Sequence, residues 1–322
     1  MKIKGAEMVI RILMEEGVDT VFGYPGGAVL NIYDELYKHS EQIHHYTTCH
    51  EQGASHAADA YARVTGKVGV VIATSGPGAT NLVTGIANAY LDSSPLVAIT
   101  GNVACEAIGK DSFQEVDITG VTMPITKHNF IVKDVSRLAD ILRDAFAIAR
   151  RGRPGPVLVD IPKDIQQADC YYEPKKAAPV TRSNNNGKEA FAEAVKLISQ
   201  CERPYIYTGG GTVGSNASQE LLALAEKIDS PIGSSMMGLS AVSHDNPRFL
   251  GMTGMHGKYA ASQVMGRADL LIAIGTRFSD RAPAINSPSS KARKSFTLTL
   301  IHRKSARTSL PSCRSSATSR PY

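Results

Sequence analysis

Four continuous apolar runs limit the architecture of this chain most: residues 68–74 (VGVVIAT), 96–101 (LVAITG), 156–161 (PVLVDI) and 269–275 (DLLIAIG). None alternates polar with apolar residues. Each therefore suits a strand covered on both faces, as in the middle of a parallel sheet. Shorter strands are expected at 20–23 and 44–47. Between the strands the apolar period switches to that of a helix. Ala6, Val9, Ile10 and Leu13 share one face, and Gly17 ends it; Val29, Ile32, Tyr33 and Leu36 share another; 136–150 is amphipathic. Strand and helix alternate throughout, so residues 1–165 should form an open, mostly parallel α/β sheet with helices on both faces.

The polar stretch 166–187, with the triplet Asn184-Asn185-Asn186, reads as a linker. A second α/β unit follows over 188–281. Helices are expected at 188–199, 221–228 and from Gly254 through Val264, and strands at 204–208, from Pro231, and at 269–275. The fold class is α/β, two doubly wound parallel-sheet domains. From Ala282 onward there are ten Ser, eight basic residues and no acid, a composition that predicts a disordered or only locally structured tail.

Charge has to be read against that tail. The whole chain carries +5, but without the tail 27 basic residues face 30 acidic ones. The body is mildly acidic and is not expected to bind nucleic acid. No apolar run approaches the length of a membrane span. The N-terminus enters a helix pattern directly rather than a signal peptide. Five scattered cysteines point to a reducing compartment, hence a cytoplasmic protein, and not to a zinc site.

Three glycine turns follow strands, at 23–27, 75–78 and 209–211. None is a P-loop or a dinucleotide-binding fingerprint. Singly, each is a tight βα turn; together they line a carboxyl edge built for close backbone approach to a large ligand. Glu51 opens a helix whose Ala54, Ala57, Ala58 and Ala62 recur at close-packing positions. By spacing alone it is a favourable helix-terminal charge. Arg277 and Asp280 follow the last strand, and by themselves could form a surface ion pair.

The motifs become specific in combination. FGYPGG at 22–27, HEQ at 50–52 with AADAYAR at 57–63, and TSGPGATN at 74–81 closely resemble the thiamine-diphosphate enzymes. DSFQE at 111–115, GRPGPVLVDIPK at 152–163, GMHG at 254–257 and GTRFSDR at 275–281 are similar to the acetolactate (acetohydroxyacid) synthase large, catalytic subunit. The resemblance runs unbroken over 1–281. It implies a pyrimidine-binding domain at 1–165 and an FAD-binding central domain at 188–281. A third, diphosphate-binding domain should carry a Gly-Asp-Gly magnesium motif, and no Gly-Asp-Gly occurs in this sequence.

The resemblance further implies pyruvate and 2-oxobutyrate as substrates, in branched-chain amino-acid biosynthesis. It implies thiamine diphosphate, Mg²⁺ and FAD as cofactors, a homodimer or homotetramer, and a small regulatory subunit. Glu51 would hydrogen-bond the aminopyrimidine nitrogen of the cofactor, Gln114 would face the reacting centre, and Lys163 would lie by the substrate channel. Pro25, Gly26, Gly27 and Gly76 would approach the thiamine cofactor. Arg153, Gly210, Gly211, His256, Gly257, Arg277 and Asp280 would line the flavin. No metal ligand is expected in this chain, which is therefore expected to be inactive alone. A related oxidase or carboligase and a non-catalytic subunit-binding role are the alternatives. The tail reads as a shifted frame. An Ile-His-Ile-Asp-Ile-Asp strand of the family, read one base later, gives the Phe-Thr-Leu-Thr-Leu-Ile of 296–301.

Overall fold

A computed structural model describes residues 1–175, 188–277 and 294–298. Two compact units divide between Arg182 and Ser183.

The first unit begins with β1 (Lys2–Lys4), α1 (Gly5–Glu15), β2 (Thr20–Gly23), α2 (Leu30–Lys38), β3 (His44–Thr47), α3 (Glu51–Thr65) and β4 (Gly69–Ala73). There follow α4 (Pro77–Asn81), α5 (Val83–Asp92), β5 (Leu96–Asn102), α6 (Ile118–Thr122), β6 (His128–Ile131), α7 (Leu138–Arg150), β7 (Pro156–Pro162), α8 (Lys163–Gln167) and β8 (Asp169–Tyr171). Six strands form one parallel sheet in the order β3-β2-β4-β5-β7-β6.

The apolar runs behave as a two-sided sheet requires. Val70 and Ile72 of β4 pack with α1, α2 and α7, whereas Val71 and Ala73 pack with α3 and α5. Both sets are fully buried, each large side chain contributing about 1.5–3 kcal/mol. The face of α3 is narrow because its neighbours touch backbone. A Cβ at Gly69 would lie 2.1 Å from the Ala58 carbonyl oxygen, and one at Gly85 2.1 Å from Ser55 Oγ. Ala54, Ala58 and Ala62 are buried there, with Ser55 and Asp59 in place of the expected Ala57, which lies half-buried.

The first unit does not stop at 165. β8 pairs antiparallel with β1, Ile3 opposite Cys170, and Cys170 and Tyr172 enter the core. The boundary expected at 166 is corrected accordingly. Three strand residues are too few for their alternation to stand out from a polar linker. The edge strand β6 was also not anticipated. Residues 176–187 lie outside the described residues.

The second unit comprises α9 (Lys188–Ser199), β9 (Pro204–Thr208), α10 (Gly210–Gly214), α11 (Ser218–Lys227), β10 (Ile232–Ser234), β11 (Phe249–Met252), α12 (Tyr259–Arg267), β12 (Leu270–Ile274) and β13 (Lys294–Leu298). Its parallel sheet runs β11-β10-β9-β12-β13. Gly254–Gly257 does not open a helix. It is a turn closed by Gly257 N–H donating to the Gly254 carbonyl at 2.9 Å, with Gly254 at φ 123°, and α12 starts at Tyr259. Within 282–322, residues 294–298 pair in register with β12, which corrects a reading of that stretch as disordered throughout and agrees with one of local structure only. The rest of that tail lies outside the described residues.

Candidate active site

Both sheets have one topological switch point. In the first, the chain leaves β2 towards β3 on one side and leaves β4 towards β5 on the other. In the second, β9 leads to β10 on one side while β12 flanks it on the other. Ligands of open α/β sheets bind in the crevice outside the strand carboxyl ends at such points. The turn after β2 carries Pro25, Gly26 and Gly27, and the turn after β4 carries Gly76 and leads into α4 with Gly78 in its first turn.

Thr74 joins these two turns. Its Oγ1 accepts the Ala28 N–H at 3.1 Å. A Cβ on Gly26 would stand 2.6 Å from Thr74 Cβ, and one on Gly78 2.7 Å from Thr74 Cγ2. Glycine is required at both positions by this wedge rather than by backbone angle. At Gly76 it is required by both: φ is 57°, and a Cβ would meet the Gln114 carbonyl oxygen at 2.5 Å. Gly27 has no atom within 4 Å of a notional Cβ and stays open to the crevice.

Glu51 is the first residue of α3 and is 9 % exposed. The chain is steered into that helix locally. Thr48 Oγ1 donates to the His50 carbonyl at 2.8 Å, and His50 Nδ1 accepts the Gln52 N–H at 3.1 Å as the helix cap. The carboxylate then sits where the helix dipole favours negative charge. Its Oε2 accepts from Asn81 Nδ2 at 2.9 Å. Oε1 lies 3.2 Å from the notional Gly78 Cβ and accepts no hydrogen bond from the described residues. Burial pushes the nearby Tyr33 phenol above its usual range, and the Glu51 charge adds to this.

Gln114 is exposed with φ 56°, a conformation a non-glycine residue holds only when its surroundings impose it. Here they do. The Glu115 carboxylate accepts the N–H groups of Gly109 and of Ser112, the latter at 2.9 Å, and closes the loop. Those bonds hold the Glu115 carboxyl below its ordinary range. Behind this loop, Asp160 on β7 is 1 % exposed. It accepts from Thr100 Oγ1 at 2.7 Å and from Asn102 Nδ2 at 2.5 Å, while Asn102 Oδ1 accepts the Val103 N–H at 2.8 Å. No cation among the described residues compensates it, and burial pushes its pKa up to about 6, with Asp117 adding to the effect.

The structure thus brings Glu51, Gly26, Gly76 and Gln114 around Thr74. Lys163 stands exposed at the end of β7, apart from that cluster. Arg153 is committed elsewhere within the first unit. Its guanidinium donates to Ser93 Oγ at 2.7 Å and to the Tyr90 and Leu91 carbonyls, capping α5.

In the second unit, Gly211 N–H donates to the Gly275 carbonyl at 2.7 Å, and a Gly211 Cβ would fall 2.7 Å from Gly275 Cα. A Gly210 Cβ would lie 3.0 Å from that of Met237. These glycines serve close packing across the switch point. His256 and Arg277 are exposed at the same carboxyl edge, and Gly257 is half-buried in the turn beside them. Asp280 lies outside the described residues. Asn81, Thr74, Glu115 and Asp160 were not singled out from sequence, although all four stand inside the quoted motifs.

Residues 3–121 match the family described as thiamine pyrophosphate enzyme, N-terminal TPP binding domain, and 191–311 match its central domain. The chain belongs to the thiamine pyrophosphate enzymes. Within them it is a homologue of acetolactate synthase large subunits. It is 50% identical over 285 residues to a probable acetolactate synthase large subunit of Methanocaldococcus jannaschii, covering 87% of this chain and 48% of that protein. It is also 50% identical over 284 residues to the acetolactate synthase large subunit of Corynebacterium glutamicum, covering 87% and 45% respectively. With the protein of that description from Buchnera aphidicola the figures are 47% over 286 residues, 87% and 50%. The chain spans about half the length of the curated relatives it matches.

Proposed function

We propose that this chain supplies the pyrimidine-activating half of an acetolactate synthase site. The reaction would join pyruvate, after decarboxylation, to a second 2-oxo acid (pyruvate or 2-oxobutyrate). One observation carries the reading: a nearly buried carboxylate with one unengaged oxygen, Glu51 Oε1, faces the crevice between two glycine turns at a switch point. That geometry fits an aminopyrimidine, whose ring nitrogen needs a single carboxyl partner in a water-poor pocket. Thiamine diphosphate, when bound, supplies the carbanion-stabilising carbon. Glu51 would exchange a proton with the pyrimidine at Oε1. Gly26 and Gly27 would let the ring approach, and Gln114, held over Gly76, would face the substrate.

Lys163 is proposed for the substrate channel on the resemblance alone. The same holds for the flavin contacts of Arg153, Gly210, Gly211, His256, Gly257, Arg277 and Asp280. For the flavin the fit is partial. Met236, Met255 and the cationic Arg277 are all exposed at the second sheet's carboxyl edge, after β10, β11 and β12, an edge that offers apolar and cationic side chains to a planar ring carrying phosphates. For Mg²⁺ there is no fit: among the described residues no group of three or more His, Cys, Asp or Glu converges. Assembly with a second copy and with a small regulatory subunit belongs to the same proposal.

The test supplies this chain with the second half of a relative's large subunit and measures acetolactate from pyruvate with thiamine diphosphate, Mg²⁺ and FAD. Product is expected, with a loss of roughly 10²-fold or more in Glu51→Gln. Wild-type rates in Glu51→Gln would overturn the role of Glu51. Turnover by this chain alone at a relative's rate would overturn the half-site reading, and flavin reduction by pyruvate would favour an oxidase.

A further inference from the structure

The Glu51 carboxylate has two oxygens, and the fold treats them differently. Oε2 accepts the Asn81 side-chain amide at 2.9 Å, whereas Oε1 accepts nothing from the described residues. Asn81 is the last residue of α4. Leu82, which follows it, is fully buried and joins α4 directly to α5. The amide is therefore carried on backbone that cannot drift. Gly78, three residues earlier on that turn, leaves the space into which Oε1 projects.

We propose that Asn81 is a positioning residue for Glu51, orienting the carboxyl group so that its exchangeable proton is carried on Oε1, towards the crevice. The inference rests on the role given to Glu51 above. In a neutral carboxyl group the carbonyl oxygen is the stronger acceptor and the hydroxyl oxygen carries the proton. An amide N–H on Oε2 fixes that atom as the acceptor in both protonation states, so Oε1 is the oxygen that alternates between accepting and donating. The same bond holds the plane of the carboxylate, which would otherwise rotate about its terminal torsion in a broad well. The other titratable groups near this pair are Tyr33 on α2, and Cys49 and His50 at the start of α3. His50 is engaged by the Gln52 N–H, and Tyr33 donates to the Ile72 carbonyl at 3.3 Å. Neither supplies a second donor to Glu51.

The test uses this chain without cofactor and takes 4-amino-2-methylpyrimidine as the probe. Binding is followed by NMR shift perturbation between pH 4.5 and 8 in wild type, Asn81→Ala, Asn81→Asp and Glu51→Gln. Loss of a hydrogen bond to a charged group predicts roughly tenfold weaker binding in Asn81→Ala at every pH. Asn81→Asp keeps the shape but sets two carboxylates together. It should be as weak near pH 8 and recover as the pH falls, because one shared proton restores the missing bond. A purely structural Asn81 would leave the isosteric Asp variant with the wild-type pH profile. The Asn81 side-chain amide protons are read in parallel: their shifts should differ between wild type and Glu51→Gln. Wild-type affinity in Asn81→Ala, a wild-type profile in Asn81→Asp, or amide protons indifferent to Glu51→Gln would overturn the proposal. If Glu51→Gln binds the probe as wild type does, the role of Glu51 itself fails. If only the Asn81 variants are silent, that role stands and the positioning role falls.

Discussion

Replacing Asp160 by Asn should remove a pH dependence of stability that the fold imposes. Asp160 is 1 % exposed, with Thr100 and Asn102 as partners and no cation among the described residues. Its pKa is pushed up to about 6 by burial, with Asp117 contributing. In the unfolded chain an aspartate titrates near 3.9, so the shift is about 2 units, worth about 3 kcal/mol. The sign follows from proton counting. Between pH 4 and 6 the folded state holds this proton and the unfolded state does not, so stability falls as pH rises through that window and is level above it. The Asn variant can keep both bonds, its oxygen accepting from Asn102 and its amide donating to Thr100 Oγ1. Wild type and Asp160→Asn are unfolded in urea, followed by circular dichroism, at half-unit steps from pH 4 to 7.5. Other carboxylates titrate in both proteins and cancel in the difference. The variant should gain about 3 kcal/mol relative to wild type across the window. A difference that stays flat with pH would refute the argument, because it would mean Asp160 titrates alike in both states.

Three further outcomes are expected. Burial alone would raise the Asp59 carboxyl, but Arg63, Ser94 and Asn88 hold it below its usual range. Arg63→Ala strands that 2 % exposed carboxylate and should cost roughly 3–5 kcal/mol near neutral pH by denaturant titration. Wild-type stability below the folded-state pKa is lost progressively, so the two proteins should converge as the medium becomes acidic. Gly76→Ala forces a side chain to φ 57° and against the Gln114 carbonyl, and a drop of about 1–3 kcal/mol should show in the thermal midpoint. Glu115→Gln replaces one acceptor oxygen by a donor facing backbone N–H groups, so hydrogen exchange at Gly109 and Ser112 should accelerate while the β5 amides stay protected.

The parallel sheets were legible because 68–74, 96–101, 156–161 and 269–275 are apolar without alternation, and burial on both faces is the one environment that suits them. β6 and β11 were not. His128-Asn129-Phe130-Ile131 is a half-exposed edge, and Phe249-Leu250-Gly251-Met252 contains a glycine at φ 90°, so neither carries strand periodicity. The glycine turns pointed to a crevice, but what each glycine touches was out of reach. Gly26 and Gly78 meet one threonine, and Gly211 meets Gly275 sixty-four residues on. Glu51 looked like a helix-end charge because its hydrogen-bond partner is thirty residues away, at Asn81. Asp160 was counted as part of an apolar run for the same reason: Thr100 and Asn102 reach it only across paired strands.

The contact of Thr74 with both glycine turns ties what three separate positions can inherit, and ties them unequally. An alanine at 26 or at 78 collides with the side chain of residue 74, and each has little room to escape. Shortening residue 74 to serine or alanine would relieve the collision at 78, which is with Cγ2, but not the one at 26, which meets the Cβ of residue 74 at 2.6 Å, and alanine would also release the Ala28 N–H from its partner. A lineage drifting at this crevice can therefore vary 78 only after residue 74 has lost its Cγ2, whereas 26 stays glycine for any residue at 74 that carries a Cβ, and a library that varies 26 and 78 but holds 74 fixed would find almost no survivors.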